Sequence, residues 1–246
     1  MSEARIRFYG SVAKVFYDDS RQICVEGAVR SSKTTVCLMK HLARRQAYPG
    51  SFGLIGRFSD DDTHKLLKPI WRHWCLKAGV RLRWSSEEGF DELDNGSRVY
   101  ITGLKTQDQT NPFRKFRGLT LSDVYIDQAE ELPHEVYQEL VLRLSQVGYP
   151  HQIVLSPQTV GEDHWIAKEF PHDRPLKPNR AYYPLSTHDN AHNLPPNYIR
   201  EMEEAHPPGT PIHSTLILGR RGAQIIGDPV YGTPADGSRT GAFLRS

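Results

Sequence analysis

The sequence predicts an α/β domain whose sheet is mostly parallel and covered by helices on both faces. Three observations predict it. Short apolar runs alternate with helix-periodic stretches, one run leads through a glycine-led loop into a helix, and another ends in an aspartate. Continuous apolar runs suit strands buried on both faces, and parallel neighbours need a crossover, usually a helix, between them.

In chain order, QICVEG reads as a strand and SKTTVCLMKHLARR as the helix behind it. SFGLIGRF is the next strand, followed by the helical DTHKLLKPIWRHWCLKAG, and SRVYITGL is a third strand. LSDVYID then precedes the helical HEVYQELVLRL, and HQIVLS closes the series. From about Gly219 the chain turns to Gly, Pro, Arg and Ser, with little that could pack. The expected organisation is one domain over residues 1–220 and a flexible tail or linker over 221–246.

At 246 residues the chain can bury the core of one such domain. Its net charge of +2, with 24 % charged residues, is too balanced to mark nucleic-acid binding by itself. Cys24, Cys37 and Cys75 lie far apart with no CxxC pair, which argues against a zinc site or disulfide framework and fits a reducing cytoplasm. The opening MSEARIRFYG has no apolar signal core, and no run approaches the roughly 18 apolar residues of a membrane span. The expectation is a soluble protein that is not secreted.

The segment Gly27-Ala28-Val29-Arg30-Ser31-Ser32-Lys33-Thr34 matches GxxxxGK[ST] at every fixed position except the second glycine, which is Ser32. Such a loop wraps phosphates in backbone N–H groups and the helix N-terminus; Lys33 reaches the β and γ oxygens, and the Thr34 hydroxyl ligates Mg²⁺. Thr35 continues the site into the helix. Serine can replace the glycine where the backbone angle tolerates a Cβ. The plainer reading is a Ser/Thr-rich helix cap with a chance lysine.

Such a fold needs a second apolar strand ending in Asp. Val124, Tyr125 and Ile126 make that strand and Asp127 ends it, at the carboxyl edge where ligands bind in open α/β sheets. The next residue is Gln128, where a glutamate is usual. Gln128 could orient the attacking water, Glu130 or Glu131 could supply the general base, or an engineered Glu-to-Gln change could trap ATP. Glu130 and Glu131 also read as acidic residues favoured at a helix start.

Together these residues resemble the bacteriophage large terminase family, specifically its N-terminal ATPase domain, over about residues 8–220. GAVRSSKTT looks like the family's phosphate loop, with an arginine inside it. Asn95-Gly96-Ser97, FRGLT, LVLRLSQ, SPQ, EDHWIAKEF and HDNAHNLPPNYI follow in the family's order. The resemblance implies a P-loop NTPase of RecA-like (ASCE) type with a small lid-like extension. Its activity would be ATP hydrolysis, with ATP and Mg²⁺ bound, driving double-stranded DNA into a procapsid. Portal protein, small terminase subunit and a homo-oligomeric ring would be partners. The location would be the host cytoplasm, transiently at the portal vertex.

By the same resemblance, Arg30 would contact the γ-phosphate in its own subunit, and Arg117 would be an arginine finger for a neighbour's site. Ser156 falls at the family's coupling motif, although Pro157-Gln158 stands where the family usually has Asn. Phe8, Tyr9 and Gly10 lie where related motors grip adenine, with core packing as the plainer reading. His164, His188 and His192 lack a ligand set of suitable spacing. Arg81, Arg83, Arg114, Lys115 and Arg117 are candidate contacts to DNA phosphates, or solvated charge. Full-length members continue into a nuclease domain, which the length of this chain does not accommodate; no DNA cleavage is expected from it.

Two other readings compete. A helicase or recombination motor shares the core but would need single-strand contacts and a second RecA-like domain. A nucleotide-binding assembly module would have lost turnover through Ser32 and Gln128.

Overall fold

The computed structural model describes residues 7–106 and 113–222. The elements, in order, are α1 (Gly10–Tyr17), β1 (Gln22–Gly27), α2 (Lys33–Ala47), β2 (Phe52–Gly56) and α3 (Asp60–Asp62). A π-helical turn, Thr63–Leu67, leads into α4 (Lys68–Lys77), β3 (Leu82–Ser85), β4 (Phe90–Leu93) and β5 (Arg98–Ile101). Then come β6 (Asp123–Asp127), α5 (His134–Arg143), β7 (Gln152–Ser156), α6 (Trp165–Glu169), β8 (Arg180–Leu185), α7 (Tyr198–Ala205) and α8 (Pro211–Leu216).

The strands form one sheet in the order β3-β4-β5-β2-β6-β7-β1-β8. From β5 to β8 every neighbouring pair is parallel, and β3-β4-β5 is an antiparallel edge. All five strands read from the sequence are present. Alternation divides the core into two layers. Cys24, Val124, Ile126, Ile153 and Leu155 face one side with α5 and α6, while Ile23, Val25, Tyr125 and Val154 face the other with α1, α2 and α4. This is the predicted α/β architecture.

The stretch read as one helix, DTHKLLKPIWRHWCLKAG, is continuous but changes pitch. Pro69 sits in the first turn of α4 and has no N–H to donate, so the ladder widens into a π turn just before it. Three strands were not foreseen. β8 carries Pro184, which is tolerated because β8 is the edge strand. β3 and β4 are short, and their ladder pairs Arg83 with Glu92 on the exposed side.

The sheet order has a consequence for function. β7 lies between β1 and β6, so the loop after β1 and the acid ending β6 face each other across the tip of β7. The first residues of the expected tail, Arg221 and Gly222, are described; residues 223–246 lie outside the described residues. The Arg221 side chain is buried and ion-paired with Glu26, one residue before the phosphate loop.

Candidate functional site

The loop after β1 gathers around a cavity of about 540 Å³ lined by Val29 through Thr35 together with Arg57, Asp127, Gln128, Ser156 and Asn190, among others. Gly27 starts it at φ +149, and a Cβ there would lie 2.0 Å from the Leu185 carbonyl oxygen of the adjoining strand. Glycine is therefore required by close backbone approach. Ser32 has φ 67 and ψ 11, the left-handed conformation that the usual glycine supplies freely. Arg30 (φ 55) and Gln128 (φ 53) share that region, so three of the four non-glycine residues at positive φ among the described residues line this one cavity. Strain of this kind persists where surroundings over-determine it.

The surroundings do so here. The Ala28 N–H donates to Leu185 O (2.9 Å) and the Val29 N–H to Leu216 O (3.1 Å). Thr187 Oγ1 donates to Val29 O at 2.8 Å, and Asn190 Nδ2 donates to Arg30 O at 2.7 Å. Residues 187–216, the extension that follows the sheet, thus hold the loop from outside. No side chain caps α2, and its first residues, Lys33, Thr34 and Thr35, line the cavity, so the unpaired N–H groups of its first turn are available there to an anion.

Lys33 donates to the carbonyls of Gly27 (2.7 Å) and Ala28 (2.6 Å). Burial depresses its pKa to about 8, against the opposing pull of Asp127 and Glu130. Thr34 Oγ1 donates to Asp127 Oδ1 at 2.8 Å. Tyr125 and Ser156 hydroxyls reach the same oxygen at 2.8 and 3.0 Å. Arg57, at the end of β2, takes the other oxygen, with Nε at 2.8 Å and Nη2 at 2.5 Å.

The oxygen set fits a hard divalent cation held partly through water: by giving its hydrogen to Asp127, the Thr34 hydroxyl keeps its lone pairs for a metal, and the Asp127 carboxylate, whose two oxygens already accept five donors, adds negative charge beside it. The cavity's charged lining is three cations, Arg30, Lys33 and Arg57, against one carboxylate, Asp127. That balance suits a polyphosphate.

Of the remaining acids, Glu130 does not line the cavity. Its Oε2 accepts from the Gln158 N–H at 3.0 Å, and burial raises its pKa. Glu131 is exposed. Gln128 does line the cavity, and its N–H donates to the Ser156 carbonyl. Arg117 is exposed and away from the cavity lining, as are Arg81, Arg83 and Arg114. Lys115 donates to the Gly103 carbonyl.

Phe8 packs on Phe16 with centroids 5.4 Å apart, and Tyr9 meets His192 edge-on at 4.7 Å; neither they nor Gly10 line the cavity. His164 caps α6, accepting from the Ile166 N–H, and bonds the Glu130 carbonyl. His188 lies 3.5 Å from Glu203. Sequence reading missed Arg57, Asn190 and Tyr198 in the lining. Arg57 had a weak signal, a basic residue just past an apolar strand; for Asn190 and Tyr198 there was none beyond their place in HDNAHNLPPNYI.

The same fold occurs in known proteins. A sequence search of curated proteins finds no match. Among solved structures, the large terminase from a thermophilic bacteriophage superposes with a TM-score of 0.74 at 16 % identity, covering 87 % of this chain and 54 % of that one. That terminase has also been solved with ADP and with ATP-gamma-S. The large terminase ATPase domain of Thermus phage P74-26 aligns at TM-score 0.58 and 14 % identity, covering 85 % of this chain and 92 % of that domain. The HK97 bacteriophage large terminase aligns at TM-score 0.60 and 12 % identity over 88 % of this chain and 51 % of its own. The chain therefore spans about half the length of the full large terminases it matches. The fold is that of a terminase-type P-loop NTPase. Residues 19–210 match the family model for the phage terminase large subunit, and the chain belongs to that family.

Proposed function

We propose that these residues hydrolyse ATP and form the motor part of a DNA-packaging terminase. The observation that carries the reading is the meeting of Thr34 and Asp127 beneath a strained phosphate loop, in a cavity whose charged residues are three cations and one carboxylate. Family membership and the ATPase-domain likeness support it.

In this reading the loop amides and Lys33 hold the β- and γ-phosphates, and Arg30 adds charge at the γ-phosphate. Thr34 and, through water, Asp127 would hold Mg²⁺, which would supply charge neutralisation to the phosphates when bound. Gln128 faces the attacking water and orients it, a role that needs an amide and no proton transfer to it. Ser156, whose hydroxyl donates to Asp127 at the tip of β7, is placed to transmit the state of the γ-phosphate to the rest of the sheet. Arg117 completes the site of a neighbouring copy; its exposure away from its own cavity supports a role in trans. The family relationship supports double-stranded DNA, a portal protein, a small terminase subunit and a ring of identical chains as partners, in the host cytoplasm and at the procapsid portal. DNA contact would be to phosphates, because packaging must accept any sequence.

The test is phosphate release by wild-type protein beside Lys33→Ala, at high protein concentration and with linear duplex DNA. Turnover in the wild type and background in the variant is expected. Equal background in both, with ATP still bound by the wild type, would replace this reading by a nucleotide-binding assembly module, which Gln128 in the cavity would then explain.

A further inference from the structure

We propose that Arg57 is a second arginine of the phosphate site supplied by its own chain: it positions Asp127 and presents its guanidinium to the terminal phosphate of a nucleoside triphosphate. The inference rests on the ATP reading above and adds a residue that neither nucleotide motif contains.

Four observations carry it. Arg57 follows β2, the neighbour of β6 on the side away from the phosphate loop, so it approaches Asp127 from the flank opposite Thr34. Its Nε and Nη2 both engage Asp127 Oδ2, while Oδ1 collects the hydroxyls of Thr34, Tyr125 and Ser156. The two carboxylate oxygens are thereby assigned to different jobs, one facing the cation site and one held by a guanidinium. The base of the side chain is fixed, because the Arg57 N–H donates to Thr63 Oγ1 at 2.9 Å and Thr63 is itself buried. The side chain is 12 % exposed, and Arg57 is among the residues that line the cavity.

A guanidinium has five N–H donors, so two on Asp127 leave others for phosphate oxygens, and its planar fork suits that pairing better than an ammonium does. In the ATP reading, the cation site at Thr34 and Asp127 serves the β- and γ-phosphates, so a guanidinium fixed on Asp127 would lie on the terminal-phosphate side of the cavity. Arg57 is therefore placed to contact what ATP has and ADP lacks. A merely structural ion pair would hold Asp127 and support both nucleotides alike.

That difference is the test. Affinities for ATP-gamma-S and ADP, each with Mg²⁺, would be measured by calorimetry on wild type, Arg57→Gln and Arg57→Lys, with thermal unfolding of each as a control. Arg57→Gln is expected to weaken ATP-gamma-S binding about tenfold or more and ADP binding less than threefold. Arg57→Lys, which keeps the charge but loses the fork, should fold as wild type and show the same bias to a smaller degree. Equal weakening of both nucleotides, or no weakening of either, would overturn the role. Should the wild type bind neither nucleotide, the ATP reading itself falls and takes this one with it.

Discussion

Thr34 and Asp127 stand 93 residues apart in the chain and meet through one hydrogen bond of 2.8 Å. The acceptor oxygen also receives Tyr125 and Ser156, so the carboxylate is fixed before any ligand arrives. Asp127→Asn should break this arrangement, since an amide turns one acceptor into a donor that faces either Arg57 or the three hydroxyls. Mg²⁺-dependent phosphate release is expected to fall at least about 100-fold, with the circular dichroism spectrum retained. Turnover within threefold of wild type would remove Asp127 from the site.

Gln128 and Glu130 can be separated in the same assay. Gln128 lines the cavity, whereas Glu130 does not and its carboxylate is occupied with the Gln158 N–H. Gln128→Ala should lower kcat by about 100-fold or more, the scale of losing a water-positioning group, while Glu130→Gln should stay within about tenfold. The opposite ranking would make Glu130 the general base and leave Gln128 as a spacer.

The sequence disclosed the parts of this site that depend on local order. β1 and β6 are built on the apolar runs Ile23, Cys24, Val25 and Val124, Tyr125, Ile126, and Lys33, Thr34 and Asp127 follow from the loop and strand end that those runs define. Arg57 was not legible because its value comes from β2 lying beside β6, a pairing made across 70 residues. Asn190 and Tyr198 were hidden for the same reason: they reach the cavity from a segment held against the loop by tertiary hydrogen bonds. β3 and β8 lacked a signal because edge strands need not be apolar on both faces, and β4, four residues long, carries Asp91 and Glu92 where an apolar run would mark a strand.

Ser32 marks where the sequence departs from the motif and the backbone does not. It occupies the left-handed region at a cost of roughly 1–2 kcal/mol relative to glycine. Part of that is offset because glycine loses more freedom on folding. Ser32→Gly should therefore raise stability by up to about 1 kcal/mol and leave nucleotide affinity within threefold. Ser32→Val, β-branched, should lose both. Urea midpoints for the two variants check this, and a less stable Ser32→Gly would show that the serine side chain contributes something the backbone does not reveal.

At the start of β6, Asp123 is buried among Arg44, Arg45 and His41. Burial lowers the His41 pKa to about 4, with Arg45 and Arg44 adding to the effect and Asp123 opposing it. Burial alone would raise the Asp123 carboxyl, but Arg45, His41 and Arg44 outweigh it and hold it below its usual range. An unfolded histidine takes up its proton near 6.5, so between there and about 4 the unfolded state binds one more proton. Stability should fall by about 1.4 kcal/mol per pH unit across that window, and Asp123 adds a further loss at lower pH. Asp123→Asn should cost about 3–5 kcal/mol at pH 7, because it leaves buried Arg45 without its counter-charge. Thermal unfolding at pH 7, 6, 5 and 4.5 tests both, and a flat profile between 6.5 and 4.5 would contradict the buried neutral imidazole.

Lys33 carries the opposite consequence on the alkaline side. Its pKa of about 8 in the free protein means that the ammonium needed for phosphate binding is half lost there, whereas the unfolded lysine keeps its proton to about 10.5. Between those values the unfolded state binds more protons, so the strain of burying the lysine is relieved and stability from this group rises with pH. Nucleotide affinity moves the other way. Bound phosphate raises the lysine pKa again, so above pH 8 each molecule of ATP that binds must bring up to one proton with it, and the apparent Kd should rise toward tenfold per pH unit. Calorimetry at pH 8.5 in two buffers of different ionisation enthalpy would read that proton directly. Lys33→Arg, which stays charged throughout, should bind more weakly overall but with no such dependence. An affinity that stays level from pH 7 to 9 in the wild type would mean that Lys33 keeps its proton in the free protein, and that its bonds to the Gly27 and Ala28 carbonyls outweigh its burial.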